Sequence, residues 1–101
     1  MNLPATNLYE SVEMALDPTK TLSFSSMLRL QWEETQQKHV ILYPEGMVEL
    51  NVPSTEILKL CDGAHNADDI LVELEQKFNQ PGLRNDVFGF LEVAIENGWV
   101  S

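Results

Sequence analysis

Three short alternating apolar runs followed by three capped helical patterns predict an α+β domain, a small antiparallel sheet with its helices gathered on one face. The strand patterns lie between Leu28 and Leu50 and the helical ones between Pro53 and Asn97, with tight connections throughout. At 101 residues and 44% hydrophobic content, the chain suits one domain with a modest core and needs neither metal nor disulfide.

Leu28-Arg29-Leu30-Gln31-Trp32 alternates and gives the first strand. His39, Ile41 and Tyr43 alternate with Val40 and Leu42 in the second. Pro44-Glu45-Gly46 supplies the turn, proline presetting one torsion and glycine accepting a positive one. The return strand, Met47 to Leu50, is short, with Met47 and Glu49 on one face and Val48 and Leu50 on the other. Three strands with one apolar face need a cover, and the helices provide it.

Pro53 suits a first helical turn, and Ile57, Leu58 and Cys61 form a stripe closed by Asp62-Gly63. A second helix starts at Asn66, with Asp68 and Asp69 placed where the helix dipole favours acids, and buries Ile70, Leu71, Leu74 and Phe78. After the break at Gln80-Pro81-Gly82, Asn85 and Asp86 open a third helix that ends at Asn97-Gly98, with Trp99-Val100 folding back on the core. Its apolar residues are too many for one stripe: Phe88, Phe90 and Val93 cannot all join Val87, Leu91, Ala94 and Ile95, so some are expected at a rim. Gly89 interrupts this helix, and either tolerance, close packing against a strand or close approach of a bound backbone accounts for it. Helix, short turn and helix at this spacing give a winged helix-turn-helix-like layout.

Residues 1–26 differ from the rest. Leu8, Val12, Ala15 and Leu16 share a helical face behind an Asn7 N-cap, so a short amphipathic helix is expected there, and the Ser/Thr-rich stretch Thr19 to Ser26 reads as a linker. The expected organisation is an extension over 1–26 and a winged-helix domain over 27–101.

The net charge of −10 is spread along both halves of the chain, a field that repels phosphate backbones and favours basic or neutral partners. The third helix carries Asp86, Glu92 and Glu96, with only Arg84 before it, a poor footprint for a DNA reader. A winged-helix DNA-binding regulator is therefore the second reading. No basic, apolar leader or membrane-length apolar run is present, and a cytoplasmic protein is the simplest expectation. His39 and His65 are far apart and no Cys/His spacing suits a metal, so neither catalytic residues nor a cofactor are expected. The lone Cys61 reads as a buried small hydrophobe; a thiol enzyme is the weaker alternative.

LRLQWE at 28–33, HVILYPEGMVELN at 39–51, EILKLCDG at 56–63 and DVFGFLEVAIENGW at 86–99 together resemble the PqqD family of pyrroloquinoline quinone (PQQ) synthesis over roughly residues 27–100. That resemblance implies a non-catalytic peptide chaperone that binds the precursor peptide PqqA and presents it to the radical S-adenosylmethionine enzyme PqqE, which links a glutamate and a tyrosine of the peptide. It also implies a winged-helix module in which the peptide adds a strand to the sheet edge and lays apolar side chains beside the third helix. Strand addition needs an exposed edge and a neighbouring groove. Met47, Val48, Glu49 and Leu50 are the expected edge, and Val87, Phe90 and Leu91 the expected groove, with plain core as the competing reading for each of the latter. An open edge also pairs with copies of itself, so monomer and homodimer both remain open.

Overall fold

The computed structural model describes residues 16–101. The N-terminal helix expected around residues 7–16 falls almost wholly outside them.

A three-stranded antiparallel sheet runs in the order β2 (Arg29–Glu33), β3 (Lys38–Tyr43), β4 (Gly46–Glu49). Leu30, Ile41 and Val48 are aligned across it and point to the core, where Ile41 is fully buried. Arg29, Gln31, Lys38, Met47 and Glu49 alternate onto the other face. The β3–β4 loop is Pro44-Glu45 alone: Gly46 already pairs with Tyr43 and has no positive φ, which corrects the turn role expected of it.

Three helices follow. Helix α1 (Val52–Lys59) has Pro53 in its first turn and is capped by Asn51, whose side chain accepts from the Ser54 amide at 2.9 Å. It ends at Leu60, not at Asp62-Gly63. Helix α2 (Ala67–Lys77) opens with a reciprocal capping box between Asn66 and Asp69. Helix α3 (Arg84–Glu96) starts one residue before Asn85, without a side-chain cap, and closes at Asn97 with Gly98 at φ 74°.

The Thr19–Ser26 stretch is not simply a linker. Thr21–Ser23 forms β1, paired antiparallel with β5 (Asp62–Asn66), the segment between α1 and α2 that was expected to be a helix stop and connection. Ser23 and Ser101 exchange backbone hydrogen bonds of 2.9 and 3.0 Å, and the Phe24 amide donates to the Cys61 carbonyl at 2.8 Å. Trp99 and Val100 fold back as expected and are buried. One core joins these parts, from Leu16 and Leu22 through Ile41, Leu58 and Ile70 to Leu91 and Val100.

Candidate functional site

The hydrogen-bond phase of β4 fixes what its open edge offers. The Leu50 amide donates to the His39 carbonyl at 2.9 Å, so His39/Leu50 is a hydrogen-bonded pair, and by alternation Ile41/Val48 and Tyr43/Gly46 are too. Met47 and Glu49 then occupy the intervening pairs, and their N–H and C=O groups point away from β3. Among the described elements, β3 is the only substantial neighbour of β4. The edge thus presents two donors and two acceptors, from Met47 and Glu49.

Beyond the end of β4 the chain enters a cleft of about 540 Å³ formed by all three helices. Asn51, Pro53 and Ile57 line it from the start of α1, Phe78 from the end of α2, and Leu83, Val87 and Phe90 from α3 and its approach. Asp86 is its one charged lining residue. An apolar body with few polar groups is what an extended ligand with apolar side chains requires.

The seven residues singled out from the sequence divide as follows. Met47 is half-exposed on the outer face, and Glu49 beside it holds Lys38 at 3.3 Å. Val48 is half-buried, packed inward against the core. Leu50 is buried and leads into the Asn51 cap. Val87 is a nearly buried lining residue of the cleft, and Phe90 a half-buried one whose ring lies 6.2 Å from that of Trp99. Leu91 is fully buried in the core and does not line the cleft. Of the crowded apolar residues on α3, Val93 is exposed, and Phe88 turns to the opposite side, where the Arg84 guanidinium sits 4.3 Å from its ring centroid. Ile57, Phe78 and Leu83 were not foreseen at the cleft. The first two sit in stripes that look like ordinary core, because a cleft floor and a core share one composition.

A larger cleft of about 720 Å³ lies between Trp32, His39 and Val52, at the same C-terminal end of β4, and shares Asn51 with the first. It is rimmed by Lys38, Glu49 and Glu56, where the first cleft has Asp86 alone as a charged lining residue. Elsewhere, Cys61 is buried with its thiol donating to the Ile57 carbonyl at 3.5 Å, and burial, followed by the neighbouring Asp62, pushes its pKa up to about 12. His65 bridges Asp62, at 2.9 Å from Nδ1, and Glu73, at 2.6 Å from Nε2. Asp62 first and Glu73 second raise its pKa, while the histidine holds Asp62 below the usual carboxylate range. Among the described residues no group of three or more His, Cys, Asp or Glu side chains is arranged to hold a metal, and no helix is long and apolar enough to cross a membrane.

A small antiparallel sheet open at its edge, followed by three helices that enclose an apolar cleft, defines an α+β domain of winged-helix layout. Residues 38–100 match the family described as coenzyme PQQ synthesis protein D (PqqD), and the chain belongs to that family. It is 52% identical over 87 residues to the PqqA binding protein of Methylococcus capsulatus (strain Bath), spanning 86% of this chain and 94% of that one. It is 39% identical to the PqqA binding protein of Klebsiella pneumoniae, over 85% of this chain and 95% of that one. The fold matches, with a TM-score of 0.71 and 23% identity, the solution structure of the PqqD part of Methylobacterium extorquens PqqCD, described as a stand-alone recognition element for ribosomally synthesised and post-translationally modified peptides. That match covers 85% of this chain and 94% of the other.

Proposed function

We propose that this protein is a cytoplasmic peptide chaperone of PQQ biosynthesis. It binds the precursor peptide PqqA as an added strand on β4 and presents it to PqqE, without itself catalysing a reaction. The supporting observation is the phase of β4. Its free main-chain groups belong to Met47 and Glu49 while Val48, between them, points inward. A peptide pairing there hydrogen-bonds to Met47 and Glu49, sends the residue opposite Val48 toward the core side, and continues its apolar side chains toward Val87 and Phe90. The names of the relatives support the choice of peptide.

Titration of isotope-labelled protein with synthetic PqqA, followed by amide signals and their hydrogen exchange, tests this reading. Met47 and Glu49 amides are expected to shift and become protected, while Val48 and Leu50, already bonded to β3, gain little. Saturable binding that leaves the Met47 and Glu49 amides unprotected removes strand addition at β4. Absence of binding removes the PqqA assignment as well.

A further inference from the structure

Helix α3 and its approach line the cleft with Leu83, Asp86, Val87 and Phe90, residues at the spacing of one helical face. Three are apolar, and the fourth sets a carboxylate in the middle of the row. Asp86 makes neither a side-chain hydrogen bond nor an ion pair among the described residues. Helix α2 shows the usual task of an acid at this position: Asp69, its third residue, accepts from the Asn66 amide at 3.0 Å and closes the capping box. Asp86 is the third residue of α3, yet the matching amide, that of Leu83, donates to Glu75 Oε2 at 3.0 Å. With α2 supplying that contact, the Asp86 carboxylate is released from it. An acid in the first turn also complements the helix dipole, but that effect does not require the face that lines an apolar cleft.

The chain offers this carboxylate no cation of its own. All six Lys and Arg side chains belong to described residues, and none lines the cleft. Lys38 pairs with Glu49, and Lys59 and Lys77 pair with Glu56. Arg84, two residues before Asp86, pairs with Asp68 and lies over the Phe88 ring, on the opposite side of α3.

We propose that Asp86 is a specificity-determining residue, which receives the head of one Lys or Arg side chain of the bound peptide while the stem of that side chain lies along Val87 and Phe90. The inference rests on the peptide-binding reading above and adds which side chain the cleft selects. Apolar walls accept the methylene stem and the carboxylate takes the cationic head, by a charge-assisted hydrogen bond. An acidic residue at that place faces repulsion, and a purely apolar one leaves the carboxylate covered without a partner, so discrimination has both an attractive and a repulsive part. Enclosure by the cleft walls strengthens the pair relative to one in open water.

Calorimetric titration of the full chain with synthetic PqqA, alongside amide protection at Met47 and Glu49, tests this. Each Lys or Arg of the peptide is replaced in turn by Gln and by Glu, and every peptide is titrated into the parent chain, Asp86→Asn and Asp86→Lys. One peptide position is expected to respond. Gln there weakens binding to the parent roughly tenfold and has little effect on binding to Asp86→Asn, as a coupled pair requires. Glu at the same position paired with Asp86→Lys recovers affinity that either change alone removes. Asp86→Glu keeps the charge and is expected to keep the preference for a cation, and it serves if a neutral or basic residue in the first turn prevents folding. Variants that bind every peptide as the parent does, with Met47 and Glu49 still protected, overturn the role of Asp86 and leave strand addition standing. So does an Asp86→Asn variant that loses the same factor with every peptide, since that marks a structural effect. Coupling found with Met47 and Glu49 unprotected supports the role of Asp86 and removes strand addition, and absence of binding to the parent overturns both.

Discussion

The indole N–H of Trp99 donates to the phenolic oxygen of Tyr43, tying the end of the chain to the last residue of β3. Phe90 packs on the same indole, so the end of the sheet and a cleft-lining residue of α3 share one support. In Tyr43→Phe the buried Trp99 donor loses its partner, at a cost of about 1–2 kcal/mol. Urea unfolding checks this: the midpoint is expected to fall with the slope unchanged.

The elements legible in the sequence were those whose signal is local. Alternation in β2 and β3, the helix start at Asn66 and the stripe Ile70, Leu71, Leu74 each arise within a few residues. Strands β1 and β5 were missed because their reason for being is distant: Thr21 pairs with Asn66, and Ser23 with Ser101. Neither TLS nor DGAHN carries an apolar alternation. The edge at β4 was legible from its brevity, but which residues face outward depends on the phase of the ladder, which alternation of side chains does not reveal. The cleft was only partly legible, since Val87 and Phe90 line it while Leu91, from the same helix, lies in the core.

Two glycines are expected to respond to alanine with opposite signs. At Gly89 an added Cβ meets nothing within 4 Å, so neither close packing against a strand nor steric need explains the residue. It faces a cavity with Leu16, Pro18 and Phe88, on the other side of α3 from the cleft. Gly89→Ala should therefore stabilise by about 0.5–1 kcal/mol and leave peptide affinity unchanged. Gly63 lies in β5 at φ 86°, where a Cβ would sit 3.1 Å from Ser23 Oγ, at the irregularity in the β1–β5 register. Gly63→Ala is expected to cost about 1–2 kcal/mol. Thermal unfolding of both variants distinguishes them, and equal shifts would contradict the assignment.

His65 joins β5 to α2 through Asp62 and Glu73, and its contribution has a defined pH window. Its pKa in the folded chain is raised above 6.5, so the stabilisation is fully present below 6.5 and is lost as pH rises through the folded value. The depressed pKa of Asp62 makes its share present above 3.8 and lost as pH falls through its folded value. The difference in Tm between the parent and His65→Gln is therefore expected to be largest in mildly acid solution and to shrink above neutrality. NMR titration of the imidazole gives the direct check, and a midpoint at or below 6.5 counts against the clasp.

Glu49→Pro isolates the edge from the fold. The Glu49 N–H points away from β3, so proline at this position removes no bond of the existing ladder, and proline is tolerated in edge strands on this condition. It does remove one of the two donors that β4 offers to an added strand and places ring carbons in the path of the incoming backbone. Glu49→Ala, the control, removes the Lys38 ion pair, an exposed contact with little effect on stability, and keeps the donor. Calorimetric titration with PqqA is expected to show affinity reduced by roughly tenfold or more for proline, the order expected when a bound backbone group loses its partner, and little changed for alanine. Equal affinities in two well-folded variants would place the peptide somewhere other than this edge.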